Sequence, residues 1–174
     1  MTRTSLETHN CSLARTVDII GDKWALMILR DAFYGVRAFS TFQSGLGIAK
    51  TVLSDRLQRL TEAGVLEKIQ TREGVDRFEY RLTTSGRDLF PIIIALVQWG
   101  DRWVFGPGHE PLELVDRDTG APVPAVTVQA HDGRVLAPRD VRFRAGPGAS
   151  AETRAIFDGP VSASPARSDD GKGD

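Results

Sequence analysis

The stretch GIAKTVLSDRLQRLTEAGVLEK, Gly47 to Lys68, decides how the chain is read. At 3.6 residues per turn Leu53, Leu57 and Leu60 fall on one stripe, which marks a core-facing helix. Thr51, Asp55 and Gln58 fall on the opposite face, with Ser54 and Arg59 on its flanks. Short polar groups and one fork-shaped donor suit base edges and phosphates. Gly64 supplies the left-handed residue at which a helix ends, and Val65, Leu66 and Ile69 begin a strand pattern. The stretch therefore reads as the second helix of a helix-turn-helix followed by a strand.

The flanks complete the same module. Leu13, Ala14, Val17 and Ile20 have helical spacing, with Ser12 as a cap. Ala25, Ile28, Leu29 and Ala32 lie on one side of a second helix, Trp24 to Phe33. Ser40-Thr41-Phe42-Gln43 has the form of a capping box and starts a short helix that Gly45 and Gly47 end. Beyond Gly64, Val65 to Thr71 and Arg77 to Thr83 read as two strands, joined by the charged loop Arg72-Glu73-Gly74-Val75-Asp76. A helix-turn-helix followed by a β-hairpin is a winged helix, with that loop as the wing.

The runs LARTVDIIGDKWALMILRDAFYGVRAF (Leu13 to Phe39), EYRLTTSGRDL (Glu79 to Leu89) and QWGDRW (Gln98 to Trp103), together with Gly47 to Lys68, resemble the HxlR-type transcriptional regulators. Cys11, just before the first helix, is part of that resemblance, which covers about Cys11 to Trp103. It implies a winged-helix dimer, related to the MarR regulators, that binds DNA. Two departures stand out. Ser12 follows the cysteine where the family often has proline, and Ala49-Lys50 stands where many members have Ser-Pro.

The formal net charge of the 174 residues is −1, which does not by itself point to DNA. The charge is unevenly spread. Met1 to Val104 holds 14 basic against 12 acidic residues, and Phe105 to Asp174 holds 8 against 11. From Gly35 to Leu60, Arg37, Lys50, Arg56 and Arg59 face only Asp55. Such a weakly basic surface makes affinity depend on dimerisation and on salt. No apolar run, Ile92 to Val97 included, approaches the roughly 20 residues of a membrane span. The N-terminus has no apolar signal core, and one cysteine forms no internal disulfide. A cytoplasmic location is expected.

Thr84 to Phe105 is too apolar for one buried stripe, so burial on several sides is expected, with a second subunit as the partner. The alternative cover is the C-terminal part of the chain. Pro91 removes a backbone donor, so a bend or break is expected near Phe90. After Gly106-Pro107-Gly108, short runs at Leu112 to Val115, Val123 to Val128 and Val141 to Phe143 suggest a small β appendage. The expected fold class is α+β: a winged helix-turn-helix domain with dimerisation helices (11–105), a small β-rich appendage (110–145) and a flexible tail (146–174).

The candidate DNA-binding residues are Ser40, Thr41, Lys50, Thr51, Ser54, Asp55, Gln58, Arg59, Arg72 and Arg77. Lys50 sits in the first helical turn, where phosphates bind. Arg59 is read as a phosphate ligand. Arg56 lies at the edge of the leucine stripe and is read as packing its stem on the core and pairing with a carboxylate, with a direct base contact as the alternative. The competing readings are a solvated helix face for the α-helical set, a cap for Ser40, and cross-hairpin ion pairs for Arg72 and Arg77. Cys11 is a candidate redox sensor, because a helix N-terminus favours a thiolate and the resemblance implies a thiol switch. A buried inert thiol is the alternative. Trp24, Phe33, Trp99 and Trp103 are candidate walls of an effector pocket, or plain core.

His9, His109 and His131 stand alone in loops, with no metal-site spacing. There is no phosphate-cradling glycine loop. An enzyme, a cofactor and a metal are therefore not expected. The expected function is a homodimeric regulator, read as a repressor, that binds a pseudo-palindromic operator on double-stranded DNA. A small molecule or an oxidant is its candidate effector. The alternative is a winged-helix protein-interaction module that does not bind DNA, which would need an apolar patch in place of the polar reading face.

Overall fold

A computed structural model describes residues 6–71 and 78–158. It divides after Thr127 into two units. In the first, α1 (Ser12–Ile20), α2 (Lys23–Phe33), α3 (Phe39–Leu46) and α4 (Lys50–Glu62) precede strands β1 (Leu66–Gln70) and β2 (Phe78–Leu82). A short α5 (Thr84–Arg87), then α6 (Phe90–Gly100) and a π-helical turn (Asp101–Phe105) follow. This is the expected α+β winged helix. The strands pair antiparallel from Leu66 opposite Leu82 to Gln70 opposite Phe78.

Leu53, Leu57 and Leu60 of α4 are fully buried with Ile28 and Leu29 of α2, Phe42 of α3 and Leu66 of β1. Each such side chain contributes about 1.5–3 kcal/mol, so the leucine stripe fixes the rotation of α4 about its axis. Gly64, at φ +69°, ends α4. The Val65 N–H then reaches the Leu60 carbonyl at 2.9 Å and the Gly64 N–H the Thr61 carbonyl at 3.0 Å. These bonds satisfy the last turn and direct the chain into β1.

The chain between α2 and α3 forms a short third edge of the sheet. Ala38 bridges Glu79, and the Tyr80 N–H donates to the Arg37 carbonyl at 2.8 Å. This pairing corrects the capping box expected at Ser40. It holds Ala38 extended as the N-cap, so α3 starts at Phe39, no side chain caps it, and Ser40 lies inside the first turn. Gly45 also lies within α3, and Gly47 alone ends it, at φ +60°. The cap of α1 is likewise Cys11 rather than Ser12, with no side-chain bond.

The expected break near Phe90 is present. α5 stops at Arg87, and α6 starts at Phe90 with Pro91 in its first turn, where the missing N–H costs nothing. Thr83 caps α5 by accepting the Gly86 N–H at 3.1 Å, and its hydroxyl donates to the Gly64 carbonyl at 2.6 Å. A Cβ on the buried Gly86 would stand 2.1 Å from the Val65 carbonyl oxygen, so only glycine fits there. On α6, Ile93 and Ile94 are buried, whereas Phe90, Ile92, Leu96 and Trp99 are exposed. Trp103, Val104 and Phe105 of the π-helical turn and Leu13, Val17 and Ile19 of α1 are exposed as well.

The expected strands after Pro111 reduce to isolated bridges, Val115 to Pro122 in the first unit and Gln129 to Val135 in the second. Pro122 and Pro124 remove alternate N–H donors from the Val123 run, which prevents a continuous ladder. The Gln98 side chain of α6 takes the place of a strand. Its Nε2 donates to the Pro124 carbonyl at 3.1 Å, and its Oε1 accepts the Val126 N–H at 2.8 Å. The second unit holds a 3-10 turn (Pro138–Asp140) and α7 (Ala151–Phe157), capped by Ser150. No described residue after Gly106 is buried.

Candidate nucleic-acid interface

The helix-turn-helix is built from α3, the turn Gly47-Ile48-Ala49, and α4. The left-handed Gly47 makes the turn, and Ile48, 5% exposed, pins it to the core. Ile48 was not singled out from sequence. Its only signal was one apolar residue between Gly47 and Ala49. Ala49 is extended and offers no side-chain cap, so the first N–H groups of α4 keep no side-chain partner. An uncapped helix N-terminus attracts anions, phosphate among them.

Opposite the buried leucines, Lys50, Thr51, Ser54, Gln58 and Arg59 are all exposed, as are Ser40 and Thr41 at the start of α3. No ion-pair partner meets Lys50 among the described residues. Gln58 and Arg59 are held along the helix. Gln58 Nε2 donates to Glu62 Oε1 at 2.7 Å, and Arg59 Nε lies 3.0 Å from Asp55 Oδ2. Asp55 is half-buried and also accepts from Arg56. A base or phosphate that reaches Arg59 competes with Asp55. Arg72 and Arg77 lie outside the described residues.

Arg56 does not face outward. Its Nε donates to Asp22 Oδ1 at 2.8 Å, which fits the stem-on-core pairing expected from sequence. Asp22 also caps α2, accepting the N–H groups of Trp24 at 3.0 Å and Ala25 at 3.4 Å. Burial alone would raise the Asp22 carboxyl. The hydrogen bonds and charge of Arg56, with the two N–H groups, outweigh it and hold the carboxyl below its ordinary value. The hydrogen bond to Asp22 in turn raises Arg56, against a smaller effect of burial.

The four candidate pocket residues are differently placed. Trp24 and Phe33 pack on the core, and the Phe33 ring lies 5.2 Å from that of Phe90. Trp99 and Trp103 are exposed. None of the four lines the cleft of about 340 Å³ beside β2 or that of about 510 Å³ between Gln98 and Ala125. Cys11 is exposed, not buried. Arg15, one turn into α1, donates its Nε–H to the His9 carbonyl at 3.1 Å. Among the described residues no group of three or more His, Cys, Asp or Glu is placed to hold a metal ion. No helix among them is long and apolar enough to cross a membrane.

Comparison with known proteins agrees with this geometry. The profile of the HxlR-like helix-turn-helix family matches residues 19–106. The HTH-type transcriptional regulator Rv3095 of Mycobacterium tuberculosis is 38% identical over 141 residues, 81% of this chain and 89% of the relative. A solved structure of PA1607, a candidate transcription factor, is 45% identical with a TM-score of 0.75, over 80% of this chain and 98% of that one. PA1374 from Pseudomonas aeruginosa, also a candidate transcription factor, is 34% identical with a TM-score of 0.60, over 84% of this chain and all of that one (100%). These likenesses extend past the family match into the C-terminal residues.

Proposed function

The chain belongs to the HxlR-like helix-turn-helix family of transcriptional regulators, and from that premise we propose that it is a homodimeric, sequence-specific DNA-binding repressor with α4 as its reading helix. The family and its relatives are regulators and not enzymes. One observation carries the DNA reading: α4 buries Leu53, Leu57 and Leu60 completely while Lys50, Thr51, Ser54, Gln58 and Arg59 remain exposed beside an uncapped helix start. In the major groove the N-terminal turns of such a helix meet bases, and its flanks meet phosphates. Ser40 and Thr41 of α3 would face the backbone, and Arg72 and Arg77, outside the described residues, remain proposed DNA ligands.

The dimer reading is supported by the exposed apolar side chains of α1, α6 and the π-helical turn, which one chain leaves uncovered. A two-fold axis through these helices would present two α4 helices to half-sites about 34 Å apart. Control through Cys11 is supported by its exposure at the start of α1, beside that apolar surface. The regulator would act with its DNA in the cytoplasm. The protein-interaction alternative requires an apolar reading face, and the outward face of α4 is polar. An electrophoretic shift with DNA from upstream of the chain's own gene tests the reading. A retarded band that survives excess random DNA is expected, and loss of that band to random competitor would refute sequence-specific binding.

A further inference from the structure

At the end of the hairpin remote from residues 72–77, a cleft of about 340 Å³ opens between the end of α2, the outer edge of β2 and α5. Leu82 lies four residue pairs along the ladder from Phe78, about 13 Å from the wing end. The cleft is therefore set apart from the Gln70–Phe78 end of the ladder.

Two kinds of donor meet there. The first is backbone. The Tyr80 N–H donates outward to the Arg37 carbonyl, while the Thr83 N–H donates inward to the Val65 carbonyl at 3.1 Å. Outward and inward groups alternate along an antiparallel strand, so the Leu82 N–H faces outward like that of Tyr80. The preceding segment does not extend far enough to pair with it, because the Val36 N–H turns back to the Asp31 carbonyl at 3.0 Å. The second kind is guanidinium. Arg37 is exposed and has no side-chain partner among the described residues. Arg87 is held by neutral acceptors only, the Leu82 carbonyl at 2.9 Å and Thr84 Oγ1 at 3.1 Å, so its charge is uncompensated. Arg81 is paired with Glu79 at 2.9 Å, which leaves Glu67 as the one lining carboxylate against Arg37 and Arg87.

We infer that this cleft binds a small organic anion, a carboxylate on a short apolar body. The carboxylate sits between the Arg37 guanidinium and the Leu82 N–H in the field of Arg87, and the body rests on Val36 and Leu82. A guanidinium and a backbone N–H together match the two oxygens of a carboxylate. The position also couples two parts of the fold. Arg37 immediately precedes Ala38, the N-cap of α3, and Arg87 closes α5, which leads into α6. A bound anion ties the reading head to α6. This regulatory consequence rests on the DNA reading proposed above, whereas the binding does not.

The test uses the full chain without DNA. Benzoate is titrated while the Leu82 backbone amide resonance is followed by NMR, with neutral benzamide as the matched control. Benzoate should shift the Leu82 amide saturably and benzamide should not. Arg37→Gln, at an exposed position, should weaken benzoate binding about tenfold, as for one lost charge-assisted hydrogen bond. A Leu82 amide that ignores benzoate, equal responses to benzoate and benzamide, or unchanged affinity in Arg37→Gln would each overturn the inference. If benzoate binds yet leaves operator affinity unchanged, the regulatory consequence is refuted. A failure to bind operator at all leaves the NMR result standing by itself.

Discussion

Arg56 of the proposed reading helix and the N-cap of α2 share one carboxylate. Asp22 Oδ1 accepts from Arg56 Nε at 2.8 Å and from the Trp24 N–H at 3.0 Å. The pair joins α4 to α2 across 34 residues of sequence, and it is only partly exposed, 23% for Arg56 and 28% for Asp22. One side chain therefore sets both the start of α2 and the seating of α4.

Asp22→Ala removes the cap and the ion-pair partner together. It should cost about 2–3 kcal/mol in urea unfolding. Asp22→Asn keeps an acceptor for the N–H groups and should cost less. The depressed Asp22 carboxyl gives a pH signature of definite sign. Its stabilisation is complete above the unfolded-state value and is lost as the pH falls below about 4. The parent should lose more stability than Asp22→Asn on acidification through that window.

Gly86 carries a second structural prediction. The carbonyl of Val65, which a Cβ would meet at 2.1 Å, belongs to the backbone and cannot rotate aside. Gly86→Ala should push α5 from the hairpin and cost at least about 1–3 kcal/mol. Gly146→Ala, where nothing lies within 4 Å, should be near neutral. Thermal unfolding of the two variants checks the contrast.

On the proposed interface, Arg59→Ala should weaken binding to every sequence by a similar factor and reduce the salt slope by about 1. Gln58→Ala should instead relax preference at one base position, by about 1–3 kcal/mol. Because Asp55 holds Arg59 at 3.0 Å in the free protein, Asp55→Ala should strengthen non-specific binding slightly. Salt-dependent titrations on operator and random DNA separate the three.

Assembly is tested on the exposed face of α6. Trp99→Ala and Leu96→Asp alter residues 61% and 51% exposed, so the protomer should stay folded while the dimer and operator binding are lost together. Ile93, at 5%, is unsuitable, because aspartate there would unfold the core. Light scattering with circular dichroism makes the distinction. A parent that is monomeric yet binds operator tightly would contradict the dimer.

For Cys11, peroxide treatment of the parent and of Cys11→Ser is compared by operator affinity. The thiol reading expects loss in the parent alone. Equal loss in both proteins would remove it.

The winged helix was legible because its signals are local and periodic: the leucine stripe of α4, the glycine after it, and the break that Pro91 imposes before α6. The Arg56 pairing was legible from its place at the edge of that stripe. The start of α3 was not. The Ser40 pattern has the form of a cap, but Ala38 pairs with Glu79 of β2, far along the sequence, and a non-local bond overrode the local preference. The strands after Pro111 failed for a related reason. Alternating valines promise a ladder, while Pro122 and Pro124 deny it the donors. Trp99 and Trp103 gave an aromatic signal equally compatible with core, pocket and interface, and their exposure in the folded chain removes the core reading alone.

Selection of bound fragments from sheared genomic DNA of the source organism, run in parallel with the parent and Gln58→Ala, asks whether α4 reads the operator sequence. The parent should enrich a pseudo-palindrome with half-sites one helical turn apart, roughly 34 Å, and Gln58→Ala should lose preference at one symmetric pair of positions. Enrichment of no sequence by the parent, or an identical motif from both proteins, would contradict α4 as the reader.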